Sequence, residues 1–174
     1  MKYNDLENLT FRQAQPQDAD AIWAILQQAI IRRKHDGSTQ WQSGYPNLTT
    51  VQTDIEKGYC FVLIQENEII ASAALIFNDE PTYDAIEGAW LTLGDFFVVH
   101  RIAVSDKVAG KGIATKFFHY FEEHAKENQV YSIKVDTNFD NLAMLRILEK
   151  LGYTYCGEIQ VYDGARKAFE KVLK

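Results

Sequence analysis

The sequence predicts a mixed α/β fold, in which a sheet of about seven strands carries helices on both faces. Two observations support this prediction. A strand, a helix and a second strand follow one another at 96–104, 112–126 and 131–137, and such a crossover requires parallel pairing. Elsewhere, short strand patterns are separated by turn signals, which indicate antiparallel hairpins. The chain of 174 residues is long enough for one domain with a substantial core.

The N-terminal third predicts a strand and two helices. The strand covers 9–13, and Pro16 with the early acids Asp18 and Asp20 is typical of a helix start. Apolar residues then recur at helical spacing, and a second, shorter helix is expected over 49–56. The apolar face of the first helix comprises Ile22, Ile25, Leu26, Ala29 and Ile30.

The middle of the chain predicts three strands. Those at 59–65 and 69–77 are joined by a turn at 66–68, and the run at 96–104 is apolar enough for a buried strand. The pattern at 78–94 predicts no clear element, although 90–93 is a candidate for a further strand.

The last third alternates helices with strands. Gly152 is expected to end the final helix, because the residue after a helix often needs positive φ. The pair Asp163-Gly164 is a hairpin turn signal. The expected elements are a helix at 112–126, a strand at 131–137, a helix at 141–151, and strands at 153–162 and 166–173.

Composition favours a cytoplasmic protein that binds neither nucleic acid nor membrane. The formal net charge of -6 disfavours nucleic-acid binding and leaves room for a cationic substrate. No apolar run is long enough to span a membrane, and the N-terminus lacks a signal-peptide core. Cys60 and Cys156 lie in apolar runs and are interpreted as buried structural thiols. No cysteine and histidine cluster has the spacing of a metal site, so no metal is expected.

Two glycines flank a lysine where the strand at 96–104 meets the next helix. Gly110 and Gly112 let the backbone approach a ligand closely, and free N–H groups at a helix start attract anions. Lys107 and Lys111 add positive charge. A pyrophosphate therefore fits this loop, although a merely flexible basic loop is the alternative. The spacing excludes a P-loop, and Thr115 stands where a dinucleotide fingerprint needs Gly or Ala.

The same stretch resembles the first signature of the GNAT acyl-CoA N-acyltransferases. In that family an apolar-x-Val triplet precedes the loop Gln/Arg-x-x-Gly-x-Gly/Ala. Here Ile102-Ala103-Val104 is the triplet, and KVAGKG at 107–112 is the loop. Lys107 replaces the usual Gln or Arg and keeps the charge.

A second signature of the family, Asn-x-x-Ala-x-x-Leu-Tyr-x-Lys-x-Gly-Phe, resembles the sequence NLAMLRILEKLGY at 141–153. Met144 and Ile147 replace the Ala and Leu conservatively. Two signatures in the expected fold context are far more specific than one, so the flexible-loop alternative is no longer favoured. The matching positions are Asn141, Lys150, Gly152 and Tyr153.

The resemblance implies a single N-acetyltransferase domain over 9–174, with an N-terminal tail at 1–8 and a splayed parallel pair of strands. It implies acetyl-CoA as co-substrate, with the pantetheine arm along the triplet and the pyrophosphate in the loop. The residues that the resemblance assigns to the coenzyme are Ile102, Ala103, Val104, Lys107, Val108, Ala109, Gly110, Lys111, Gly112, Ile113, Ala114 and Asn141.

Acyl transfer to an amine needs a general base, because a free alkylamine is protonated at neutral pH. In many relatives a Glu sits two residues before the triplet, and here His100 occupies that position. Histidine is a plausible base near neutral pH, whereas a hydrogen-bonded structural histidine is the alternative. Asp136 and Asp140 are weaker candidates. Family members often place the tyrosine that protonates the leaving thiolate where this chain has Leu148, so the general acid is left open.

The acceptor site is expected at the loop after the first helix. Trp41 and Tyr45 offer flat walls with polar tips, although aromatic residues pack loops equally well. An acidic segment follows later in the chain and is interpreted as a solvated loop rather than an amine site. Its acids are Asp79, Glu80, Asp84 and Glu87.

Three functions are therefore compared. The first is direct transfer of an acetyl group to a primary amine of a small molecule or peptide. The second, prompted by Leu148, is a non-catalytic acyl-CoA-binding module. The third is an α/β domain that binds another phosphorylated ligand, because a fold does not name its ligand. A homodimer is compatible with each function.

Overall fold

The computed structural model describes residues 8–174, which contain four helices and eight strands. The predicted tail at 1–8 therefore lies outside the described residues, apart from its last residue. The helices are α1 (Ala19–His35), α2 (Leu48–Glu56), α3 (Ile113–Glu127) and α4 (Leu142–Lys150). The strands are β1 (Leu9–Gln13), β2 (Cys60–Gln65), β3 (Glu68–Phe77), β4 (Glu87–Gly88), β5 (Phe97–Val104), β6 (Ser132–Thr137), β7 (Thr154–Val161) and β8 (Gly164–Val172).

The chain forms two compact units. The first unit contains the residues up to Ala74 together with Arg101–Phe117, and the second contains Leu75–His100 and Phe118–Lys174. Strand β3, strand β5 and helix α3 each begin in one unit and end in the other. The single domain expected over 9–174 stays a prediction.

The first unit packs helices α1 and α2 against antiparallel strands. Strands β1, β2 and β3 lie side by side in that order, with Phe11 opposite Leu63 and Val62 opposite Ser72. The apolar face predicted for α1 is buried except for Ile30, which is half-buried, and the buried part shares one core with residues of α2 and β2. The most deeply buried members of this core are Val62, Ile22 and Val51.

The second unit contains the parallel pair that the crossover predicts. Its strands lie in the order β5, β6, β8, β7, β4, and only β5 and β6 among these neighbours run parallel. Backbone pairing joins Phe97–Val99 to Ile133–Val135. The next residues on the two strands, His100 and Asp136, approach through their side chains instead. The mixed α/β class is confirmed, with eight strands rather than about seven.

The core of the second unit consists mainly of aromatic and branched side chains. Phe118 and Phe121 of α3 are fully buried and pack edge to face, with ring centroids 5.5 Å apart. Leu148 of α4 is also fully buried. Burying a side chain of this size contributes roughly 1.5–3 kcal/mol, so these residues hold both helices on the sheet of this unit.

The prediction of a strand at 90–93 was wrong. The connection 78–95 contains a 3₁₀ turn at Pro81–Ala85 and the two-residue strand β4, and residues 90–93 belong to neither. The backbone N–H groups of Leu91 and Thr92 donate to the carboxylate of Glu170, at 2.9 and 3.4 Å, instead of joining a strand ladder. A buried side chain from a distant strand therefore replaces the partner that the sequence pattern suggested.

The other predicted elements are confirmed within one or two residues at their ends, and α1 begins at Ala19 after a 3₁₀ turn at Pro16–Asp18. Gly152 follows α4 with a φ of +82°, as expected for a helix end. Both cysteines are buried free thiols, and burial raises the pKa of Cys60 to about 12. No helix within residues 8–174 is long and apolar enough to cross a membrane.

Glu170 should contribute strongly to stability. Its side chain is fully buried and accepts four hydrogen bonds, the two from Leu91 and Thr92 N–H, one from Thr92 Oγ1 at 2.6 Å and one from Ser132 Oγ at 3.0 Å. Glu170→Ala leaves these donors without their acceptor, so we expect the free energy of unfolding to fall by roughly 3 kcal/mol or more. Urea denaturation measures the change.

Glu149→Ala is the matched control, because Glu149 is an exposed residue of α4 in the same unit. We expect its effect to stay within roughly 0.5 kcal/mol. If Glu170→Ala unfolds at the same urea concentration as wild type, the carboxylate does not anchor the connection.

Candidate active site

The loop at the start of α3 has the conformation that its glycines predict. Strand β5 ends at Val104, a 3₁₀ turn covers Asp106–Val108, and α3 begins at Ile113. Gly110 and Gly112 have φ values of +77° and +78°, in the left-handed region that favours glycine. The loop therefore depends on both glycines for its backbone shape.

The space around the two glycines is open. A Cβ placed on Gly110 or Gly112 would meet no heavy atom within 4 Å. The first N–H groups of a helix have no acceptor within that helix, and they carry partial positive charge. A phosphate group thus has room to approach the start of α3, so the residues present fit the pyrophosphate of coenzyme A.

Helix α1 holds this loop from the side. Arg32 donates through Nη2 to the carbonyl of Val104 at 2.7 Å and forms an ion pair with Asp106. The side-chain oxygen of Gln28 accepts from the N–H of Asp106 at 2.9 Å. Lys107 forms an ion pair with Glu68 at 2.5 Å, which compensates part of its charge. The sequence analysis identified Lys107 but missed the support from α1.

His100 lies between two carboxylates of the second unit. Its Nε2 is 2.6 Å from Oε2 of Glu80, and its Nδ1 is 3.6 Å from Oδ1 of Asp136. Tyr83 is buried and donates its hydroxyl to the same Asp136 oxygen at 2.5 Å. The four residues Glu80, Tyr83, His100 and Asp136, here called the His100 cluster, join the connection 78–95 to strands β5 and β6.

The electrostatics of the cluster fix two of its protonation states. Burial raises the pKa of Glu80, but the hydrogen bonds from His100 and Thr82 outweigh it and lower the pKa to about 2. Burial, reinforced by Asp136, raises the pKa of Tyr83 well above its ordinary value. At neutral pH, Glu80 is therefore an ionised acceptor and Tyr83 a neutral donor.

This arrangement assigns the tautomer of a neutral His100. An ionised carboxylate can only accept, so Nε2 must carry the proton in the hydrogen bond to Glu80. The lone pair of the neutral ring is then on Nδ1, beside Asp136. A histidine oriented in this way by a carboxylate has the geometry of a general base.

The second signature supplies a helix cap and a core residue. The side-chain oxygen of Asn141 accepts from the N–H of Met144 at 3.3 Å and caps α4. Because the side-chain oxygen is used in the cap, Asn141 would contact pantetheine through its side-chain amide nitrogen. Leu148 is fully buried, so a tyrosine at this position would have to displace core side chains.

Trp41 and Tyr45 have partners within the first unit. Trp41 packs against the core of that unit, and the Tyr45 hydroxyl accepts from Arg101 Nη1 at 2.7 Å. Arg101 in turn pairs with both oxygens of Asp54 at 2.8 Å. Tyr45 still exposes 49% of its surface. The contact of Tyr45 with the acceptor is still a prediction, whereas the packing of Trp41 favours the alternative that it only packs the loop against the core.

Sequence reasoning missed Glu80 and Tyr83. It interpreted the acidic segment as solvated, which holds for the exposed Asp79, Asp84 and Glu87 but not for the half-buried Glu80. Glu80 caps the 3₁₀ turn that begins at Pro81, and an acid directly before Pro was the signal available. Within residues 8–174 no group of three or more potential ligands is arranged to hold a metal ion.

Comparison with known proteins places this chain among acetyltransferases. The family model described as the acetyltransferase (GNAT) family matches residues 22–153. A GNAT-family acetyltransferase from Streptococcus agalactiae 2603, solved as a crystal structure, is 36% identical, with a TM-score of 0.90 over 97% of both chains.

Two further relatives are more distant. The N-acetyltransferase YesJ of Bacillus subtilis, which is itself uncharacterised, is 25% identical over 146 residues, or 81% of this chain and 79% of that protein. The structure of yncA from Salmonella typhimurium, which contains its cofactor acetyl-CoA, shares the fold with a TM-score of 0.69 and 17% identity, over 97% and 95% of the two chains. The family match favours the acetyltransferase over the non-catalytic and phosphate-binding alternatives. The chain belongs to the acetyltransferase (GNAT) family of acetyl-CoA-dependent acyltransferases.

Proposed function

We propose that this protein transfers the acetyl group of acetyl-CoA to a primary amine of a small molecule or peptide, with His100 as the general base. The observation that carries the proposal is the position of His100 between Glu80 and Asp136. The two carboxylates attract a cationic amine, and the imidazole between them can accept its proton. A cytoplasmic location and a homodimer remain predictions.

The loop 107–112 is the proposed site of the coenzyme pyrophosphate. Its support is the open space at Gly110 and Gly112 and the position of that space at the start of α3, where backbone N–H groups lack partners within the helix. Coenzyme A supplies the thioester, and the backbone of the triplet 102–104 would pair with the pantetheine arm as an added strand. The N–H near Ile102 is the proposed donor to the thioester oxygen.

The proposed proton route uses the tautomer assigned above. Asp136 holds the ammonium form of the acceptor, and Nδ1 of His100 removes its proton. The free amine nitrogen then attacks the thioester carbonyl carbon. A carbon–nitrogen bond forms, the nitrogen gives up its second proton to solvent, the carbon–sulfur bond breaks, and the thiolate leaves. Because Leu148 is buried and has no donor, solvent is the proposed source of the proton for the thiolate.

Gly112→Asp should weaken coenzyme A binding by at least roughly tenfold. The new carboxylate would occupy the space proposed for the pyrophosphate and repel its charge. Isothermal titration calorimetry measures the dissociation constant. Gly37→Asp is the matched control, because Gly37 also has open surroundings and a φ of +78°. If both variants bind coenzyme A with equal affinity, the pyrophosphate does not bind at this loop.

His100→Gln should lower kcat/KM for the amine by roughly 100-fold or more, because general bases typically contribute this much. Release of free thiol from acetyl-CoA with a panel of primary amines provides the rate. The ratio of the wild-type rate to the variant rate should change with pH, because the variant lacks an ionisable group at the position of the proposed base. The exposed His35 provides the control, His35→Gln. If kcat/KM of wild type and His100→Gln depends on pH in the same way, His100 has a structural role and is not the base.

Glu80→Gln should destabilise the protein in a pH-dependent way. The folded-state pKa of Glu80, about 2, is below the ordinary value of about 4.3, so its ionised form stabilises the fold at higher pH. We expect the variant to lose roughly 1–3 kcal/mol of unfolding free energy at pH 6, with the difference fading between about pH 4 and pH 2. Urea denaturation across this range tests it. Glu87→Gln, at an exposed position of β4, is the control. A difference that does not change with pH would contradict the ionised hydrogen bond.

A further inference from the structure

Lys134 is a buried lysine that the proposed reaction does not use. It lies on β6, and the residue is only 4% exposed. Its Nζ is 3.9 Å from the ring centroid of Phe96 and 4.5 Å from that of Trp90. Within residues 8–174 the Nζ has neither a hydrogen-bond acceptor nor an ion-pair partner.

Two of the nearby carboxylates are engaged by other groups, and the third is exposed. Glu170, opposite Lys134 in the β6–β8 register, already accepts four hydrogen bonds. Asp136 accepts from Tyr83 and lies beside His100. Asp84 is an exposed side chain. None of these acids therefore satisfies the lysine directly.

Aromatic faces stabilise the charge of an ammonium group but do not satisfy its three N–H donors. Burial lowers the pKa of Lys134, and the charge of Glu170 opposes this effect. Among residues 8–174 only the Tyr153 hydroxyl is a fully buried side-chain donor or acceptor without a partner, so Nζ of Lys134 keeps contact with solvent, from which an anion can reach it. The environment of Lys134 thus has the chemistry of a site for an anionic ligand group.

A series of neighbouring side chains connects Lys134 to His100. Lys134 lies two residues before Asp136 on the same face of β6, a spacing of roughly 6.6 Å along the strand. The ring of Trp90 lies 4.9 Å from that of Tyr83, and Tyr83 lies 6.2 Å from the His100 ring. A short amine with an anionic group at its other end could reach both positions.

We propose that Lys134, between Trp90 and Phe96, binds a carboxylate of the acceptor, so that the substrate is an amino acid-like amine rather than a simple polyamine. This inference rests on the proposed function, because it assigns a second recognition point to the amine that His100 deprotonates. The ammonium end of the acceptor lies at Asp136 and His100, and its carboxylate end lies at Lys134.

The experiment compares ω-amino carboxylates of two to six carbon atoms with their primary amides, by thiol release from acetyl-CoA. At the best chain length, wild type should prefer the acid over the amide by roughly tenfold or more in kcat/KM, since a hydrogen bond to a charged group contributes this much. Lys134→Met should bring the ratio close to one, whereas Lys134→Arg, which keeps the charge, should retain the preference.

Lys167→Met is the matched control, because Lys167 also lies over aromatic rings, 5.3 Å from the Phe139 centroid, in the same unit. It should leave the acid-to-amide ratio unchanged. If Lys134 only supports the fold, Lys134→Met will lower both rates together and keep the ratio, which overturns the inference.

The wild-type data alone also decide the question, even if the variants fail to fold. Turnover of the amines without a preference for the acid at any chain length overturns the anion site and leaves the proposed function standing. If none of these compounds is turned over while the primary amines of the earlier panel are, the inference is overturned alone; if neither panel is turned over, the proposed function falls and the inference falls with it.

Discussion

One buried carboxylate holds in place the segment that supplies much of the candidate site. Glu170 accepts from Leu91, Thr92 and Ser132 and thereby fixes the connection 78–95 on the sheet of the second unit. That connection carries Glu80, Tyr83 and Trp90. The connection also pairs through β4 with β7, where Gly88 and Gly157 pass so closely that a Cβ on either would overlap the other strand. Glu170, far along the chain, thus positions the residues that contact His100, the proposed base.

This long-range support explains what the sequence could and could not predict. Strand β5, its glycine loop and helix α3 were predicted because periodicity and glycine spacing are local signals. The connection 78–95 was not, because its partners are 53 residues away for Tyr83 and 79 for Leu91. His100 was identified from its place before the triplet, but no local pattern pairs it with Glu80. Sequence patterns therefore located His100, the proposed base, and missed the groups that orient it.

The second unit contains separate negative and positive groups near His100, which the net charge of -6 does not reveal. Glu80 and Asp136 flank the imidazole, whereas Lys134 lies on the same face of β6, held by aromatic rings. An acidic pair beside a separate cation is complementary to a molecule with an ammonium and a carboxylate end. The net charge alone suggested a cationic substrate. The proposed site is more specific, because it suits an acceptor with one ammonium and one carboxylate group.

The tautomer of His100 tests the account most directly, because the proposed proton route requires a free Nδ1. Nitrogen-15 spectra of the imidazole side chains report which ring nitrogen carries hydrogen, and the His100→Gln spectrum assigns the signal. For the neutral ring we expect the proton on Nε2, donated to Glu80, and a bare Nδ1. A neutral ring with its proton on Nδ1 would contradict the account, since the nitrogen beside Asp136 could then accept no proton from the amine.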